Sequence, residues 1–185
     1  MKKALIVYWS AKGNTEKVAL ALRDGLRESG VDVTVLKTTG AEDVDYFDYD
    51  LVCVGFPIYH FHPPDIMDKF LKSRFNKYQK EKRILPRAPI VQGKNALIFC
   101  TYSGPHSGVD EATPAVKYAG QFFVHVGIPV IDEWYIVGEF HGREDLSTNG
   151  KLGDIRGKPT EEDLNKVRKD ALQLARNISS YKNAS

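Results

Sequence analysis

Five short runs of largely consecutive apolar side chains frame this chain: residues 4–9 (ALIVYW), 31–36 (VDVTVL), 51–56 (LVCVGF), 95–101 (NALIFCT) and 129–137 (PVIDEWYIV). A strand that is apolar on successive residues is buried on both faces, which is the pattern of a parallel sheet covered by helices. Each run leads into a turn, and most then lead into a stretch with helical spacing. The order reads as alternating βα units.

The intervening segments carry their own signals. Val18, Leu22 and Leu26 recur at steps of four, and Gly30 offers a stop. Asp65, after Pro63-Pro64, is placed to cap a helix whose Ile66, Met67, Phe70 and Leu71 form one apolar face. Thr160 with Asp163 reads as a variant capping box before Leu164, Val167, Ala171, Leu174 and Ile178, which predicts a docked terminal helix. Residues 76–94, rich in Lys and Arg with Pro86 and Pro89, predict an exposed irregular connection. Residues 140–159, with four glycines and little apolar content, predict a long loop that is either functional or mobile.

At 185 residues, 42% apolar, the chain is expected to form one compact domain over residues 1–185. No apolar run approaches the roughly 20 residues that span a bilayer, and the start of the sequence lacks a secretory pattern. A cytoplasmic protein is expected. Cys53 and Cys100 sit inside apolar runs and read as buried thiols, with a redox pair conceivable only if their strands are neighbours. A net charge of +2, with no basic arm interleaved with aromatics, gives no argument for nucleic acid.

Ligands of open parallel sheets bind outside the carboxyl ends of the strands. The loops after the first, third and fourth strands are therefore decisive: SAKGNT, GFPIYHFHPP and TYSGPHSG. The first offers Ser10 and Thr15 hydroxyls, the Asn14 amide and a permissive Gly13 at a helix start, so it is either an anion site or an ordinary helix cap. Lys12 precedes the glycine rather than following it, which argues against a Walker-type loop. The second loop strings Tyr59, His60, Phe61 and His62 between prolines, suited either to stacking on a planar ring or to a self-packed lid. The third places Tyr102 and His106 among Ser103, Gly104, Ser107 and Gly108, small residues that admit close backbone approach.

Other chemistries find less support. His60, His62 and His106 form a weak metal set with no cysteine, and His125 and His141 give no site signal. No nucleophile elbow is present.

Taken together, the Ser-x-x-Gly-Asn-Thr loop at residues 10–15, the Gly55-Phe56-Pro57-Ile58-Tyr59 turn and the aromatic, glycine-containing loop after the fourth strand resemble the flavodoxin family, and the match in element order covers nearly the whole chain. The resemblance implies an α/β flavodoxin-like, doubly wound, five-stranded parallel sheet of order 2-1-3-4-5 with helices on both faces, and FMN across the strand ends. It implies that Ser10, Lys12, Gly13, Asn14 and Thr15 hold the phosphate. Pro57, Ile58, Tyr59 and His60 would border the ribityl chain and ring, with Thr101, Tyr102, Ser103, Gly104 and Gly108 on the other edge.

The implied function is electron transfer through bound flavin to redox partner proteins, with no catalytic residue of the chain's own. The alternatives are an NAD(P)H-dependent quinone or flavin reductase on the same fold, with Tyr59, Tyr102 and His106 shaping an open face above the ring and the loop over residues 140–159 bordering the substrate site, and a flavin-free partner-binding module. A monomer or a homodimer fits equally.

Three departures from the family pattern stand out: Lys12 in place of a hydroxyl residue, the absence of glycine from PIYHFHPP beside the ring, and the basic run from Lys69 to Lys94 where electron carriers tend to be acidic. The second removes the flexible peptide associated with one-electron chemistry, and the third favours two-electron chemistry only if that charge lies near the ring.

Overall fold

The computed structural model describes residues 2–180. Five parallel strands, β1 (Lys3–Tyr8), β2 (Asp32–Lys37), β3 (Leu51–Pro57), β4 (Asn95–Tyr102) and β5 (Val130–Val137), form one sheet of order β2-β1-β3-β4-β5. The helices are α1 (Asn14–Glu28), α2 (Asp65–Lys80), α3 (Thr113–Val124), the short α4 (Glu144–Thr148) and α5 (Glu161–Ser180). This is the flavodoxin-like topology, with a layer of helices on each face.

The alternation of side chains splits the core in two. Leu5, Val7, Val52, Val54, Phe56, Ile98 and Cys100 face α2 and α3, meeting Met67, Phe70, Leu71, Val116 and Phe123. Ala4, Ile6, Cys53, Leu97 and Phe99 face α1 and α5, meeting Leu22, Leu26, Val167 and Ala171. Full burial of a side chain such as Leu22 contributes about 1.5–3 kcal/mol. Gly25 is the contact between α1 and α5: a Cβ there would lie 2.2 Å from the Arg168 carbonyl oxygen.

The two cysteines occupy neighbouring strands but opposite faces, with Cys53 paired to Leu97 and Cys100 to Phe56 across the register. Both are free and buried, and burial pushes both thiols up. They form no redox pair.

The edges depart from the uniform apolar expectation. β2 and β5 are covered less completely, and Ile131 and Asp132 of β5 are exposed, because each of these strands has a neighbour on one side only. Asp65 does not cap α2: Pro64 holds that position, its carbonyl accepts from Met67 and Asp68, and Asp65 opens the helix, where its charge complements the dipole. The Thr160–Asp163 box is formed, with Thr160 N–H donating to Asp163 Oδ2 (2.7 Å) and Asp163 N–H to Thr160 Oγ1 (3.3 Å).

Residues 76–80 continue α2 and the irregular connection begins after Lys80. It lies at the amino ends of the strands, since Asn95 opens β4, and so at the opposite end of the sheet from the loops that follow β1, β3 and β4. Residues 140–159 are not structureless, since they contain α4 and a Gly150–Gly153 bridge, and they pack on the loop after β4 through Lys151 N–H to Pro105 O (2.8 Å). Among the described residues no helix is long and apolar enough to cross a membrane.

Candidate functional site

The loops after β1, β3, β4 and β5 meet at the carboxyl edge of the sheet and enclose a cleft of about 590 Å³. Its walls are Ser10, Lys12, Asn14 and Thr15 from the first loop, Pro57, Ile58, Tyr59, His60 and Phe61 from the second, and Thr101, Tyr102, Ser103, Gly104 and His106 from the third. Of the residues expected at a site, Gly13 and Gly108 alone are not on the wall, and both act through the backbone. Gly13 caps α1 at φ 94°. Gly108, at φ 73°, donates its N–H to Gly104 O (3.0 Å) and so closes the turn that presents residues 103–106.

At the α1 end the helix start has no side-chain cap, so its first N–H groups lack protein acceptors of the usual kind. Ser10 Oγ accepts from Gly13 N–H (3.1 Å), which curls residues 10–13 around the helix axis. Thr15 Oγ1 and Thr101 Oγ1 lie 2.8 Å apart and are buried. Lys12 is the one Lys or Arg on the wall among the described residues, and it has no carboxylate partner there. Glu16, in the first turn of α1, is held by the Tyr8 hydroxyl (2.6 Å) and Lys37 (3.1 Å), and these bonds keep its carboxyl below the usual range.

Asn14 departs from its expected use. Its Nδ2 donates to Glu139 O (3.2 Å) and its Oδ1 lies 3.4 Å from His141 Nε2, so the amide is turned toward the loop after β5. Its backbone N–H is the first of α1, where no side chain caps the helix.

The other end is aromatic. Residues 59–62 form a tight hairpin in which Tyr59 and His62 exchange both backbone bonds at 3.0 Å. His60 and Phe61, at φ 48° and 64°, both adopt the left-handed conformation of a type I′ turn without a glycine. This geometry stands Tyr59, His60 and Phe61 at the cleft mouth, with Tyr59 braced edge-on by Trp9 at 5.8 Å between ring centroids. Partial burial pushes the Tyr59 and Tyr102 phenols up. His62 points away, its ring 4.4 Å from that of Tyr118, and so takes the self-packed role.

Glu111, Gly138 and Glu139 carry no site signal in the sequence and His141 none of its own, yet all four line the cleft, together with Phe140 and Leu146 of the segment expected to border a reductase's substrate site. Glu111 Oε1 accepts from His106 and Ser107 N–H, each at 2.7 Å, and Glu139 Oε2 accepts from Gly157 N–H at 2.9 Å, so each acid is tied to backbone. Their position after β4 and β5 was the available signal, because β5 ends beside β4 at the same sheet edge. Among the described residues no group of His, Cys, Asp and Glu is arranged to hold a metal ion.

Residues 5–90 match the family model described as a flavodoxin domain. Over 193 aligned positions the chain is 27% identical to an NAD(P)H dehydrogenase (quinone) of Archaeoglobus fulgidus, covering 89% of this chain and 91% of the relative. Among solved structures, a flavodoxin from Streptococcus pneumoniae TIGR4 superposes with a TM-score of 0.62 at 25% identity, covering 95% of this chain and 99% of that one. A flavodoxin from an archaeon superposes with a TM-score of 0.64 at 21% identity, covering 96% and 99%.

Proposed function

Because the chain belongs to the flavodoxin family, we propose that its cleft holds FMN and that the protein moves electrons through it in the cytoplasm. When bound, that group supplies the redox chemistry, and the chain's residues hold and surround it. One observation carries the reading: a single cleft has an uncapped helix start with Lys12 and a hydroxyl pair at one end, and an aromatic rim with no Lys or Arg at the other.

The donors fit a phosphate. First-turn N–H groups and the helix dipole favour an anion, and Lys12 adds a mobile charge. The Thr15 and Thr101 hydroxyls have two protons and one bond between them, so one O–H remains for an acceptor in the cleft. The aromatic end fits a planar ring, with Tyr59 and Tyr102 on facing loops and Pro57, Ile58 and Gly104 allowing close approach.

A second reading, an NAD(P)H-dependent quinone reductase, is favoured by the extra wall that residues 138–146 build. Phe140 and His141 deepen the cleft beyond its first three loops, which suits a second planar molecule more than a protein surface. The donor and acceptor are those in the name of the A. fulgidus relative. Steady oxidation of NADPH by the flavin-loaded protein with a soluble quinone would establish it, whereas slow reduction without turnover would leave a carrier serving protein partners.

Loading with FMN tests both readings. A yellow protein with a flavin spectrum shifted from that of free FMN is expected, and a protein that stays colourless after incubation with FMN would refute both.

A further inference from the structure

Residues 69–94 hold nine Lys or Arg and one acid, a formal +8 in a chain of net +2, so the remainder carries −6. Some of this charge serves the fold. Lys94 donates to Phe47 O and Tyr49 O, Arg74 donates to Val44 O, Lys72 pairs with Asp68, and Lys77 and Arg83 flank Asp45. Lys69, Lys80, Lys82 and Arg87 are exposed and have no carboxylate partner among the described residues.

Within the same segment Leu85 and Ile90 are 51% and 65% exposed. They flank a tight turn in which Ala88 N–H donates to Leu85 O (3.0 Å), with Pro86 at its second position and Arg87 at φ 67°. The base of the loop is fixed: Val91 N–H donates to Gly127 O (2.8 Å), and a Cβ on Gly127 would meet Pro89 O at 2.2 Å. An anchored loop therefore presents two aliphatic side chains inside a field of unneutralised cations.

We propose that this end of the molecule docks on an anionic lipid bilayer, with Leu85 and Ile90 entering the headgroup boundary and Lys80, Lys82 and Arg87 meeting the headgroups. A protein partner is a poorer match, because protein interfaces are enriched in aromatic residues and depleted in lysine, and residues 81–94 contain no aromatic side chain. The same lack leaves nothing to stack on the bases of a single-stranded nucleic acid. The loop lies at the opposite end of the strands from the cleft, so docking leaves the cleft mouth free and does not depend on what the cleft binds.

The test is co-sedimentation of the full chain with vesicles of phosphatidylcholine alone or mixed with phosphatidylglycerol, at low and high salt. Binding to the mixed vesicles only, weakened by salt, is expected. Lys82→Ala with Arg87→Ala should weaken it about thirtyfold, and Leu85→Ser with Ile90→Ser about tenfold or more, both with unchanged thermal unfolding. Failure to bind mixed vesicles at low salt overturns the proposal, as does equal binding to neutral ones. Salt-sensitive binding indifferent to the Leu85 and Ile90 changes also overturns it, and marks a face for acidic macromolecules instead.

Discussion

Thr15 Oγ1, in the first turn of α1, lies 2.8 Å from Thr101 Oγ1 near the end of β4, and both side chains are buried. This bond ties the start of the helix to the strand on the far side of β3. Replacing Thr15 by Val leaves the Thr101 hydroxyl buried and unpaired, at a cost of about 1–3 kcal/mol. The double change to Val at both positions restores most of that stability but leaves no hydroxyl proton for the cleft. Urea unfolding should therefore rank the double variant above the single one, while FMN titration should find the double variant weaker than the parent by about tenfold and the single variant, which keeps the Thr101 O–H, weaker by less.

Lys12 and Asn14 should separate charge from architecture. Lys12→Ala is expected to weaken FMN about tenfold, with most of the effect lost at high salt, because an exposed cation acts through screened attraction. Asn14→Ala removes the acceptor near His141 and the donor to Glu139 O. It should raise hydrogen exchange across residues 139–148 more than it alters the salt dependence of binding.

The hairpin at the cleft mouth stores strain. A non-glycine residue in the left-handed region costs roughly 1–2 kcal/mol, and Phe61 and His60 both occupy it. Phe61→Gly should stabilise the protein by about 0.5–1 kcal/mol after the entropy of the unfolded glycine is counted. The same change should weaken riboflavin as well as FMN, since the aromatic rim faces the ring end. Thermal unfolding and two flavin titrations check both halves.

The α5 capping box gives a pH dependence. Partial burial opposes the Asp163 charge, but bonds from the Thr160 N–H and hydroxyl and from Lys158 outweigh it and hold the carboxyl below its usual range. A depressed carboxylate contributes stability that is full above the unfolded pKa of about 3.9 and is lost as pH falls through the lower folded value. Thr160→Ala with Asp163→Ala should therefore cost about 1–2 kcal/mol at neutral pH, the loss narrowing as pH falls below the unfolded pKa of about 3.9. Urea unfolding across that range measures it.

The sheet order was legible through the resemblance, and the buried strands through their apolar runs: β1, β3 and β4 have neighbours on both sides and helices on both faces. The edge strands were less so, because Asp132 and Glu133 sit where one side has no neighbour. Three of the cleft's loops could be read from residue type, the fourth only by its length, as the border of a reductase's substrate site. Glu139 and His141 carry no motif and reach the cleft only because β5 ends beside β4. Nor could the turn at His60-Phe61 be foreseen, since such turns favour glycine and asparagine. The basic run was read without its location, which α2 sets by carrying the chain to the far end of the sheet.

In the proposed function one cleft grips a phosphate at α1 and a planar ring at Tyr59 and Tyr102. Titration of the flavin-free protein with FMN and with riboflavin, followed by quenching of flavin fluorescence, tests it most directly. Saturable binding of one FMN per chain is expected, with riboflavin bound at the same place but at least about a hundredfold more weakly, as loss of a charge-assisted phosphate site requires. Undiminished fluorescence of both flavins, or equal affinity for the two, would contradict it.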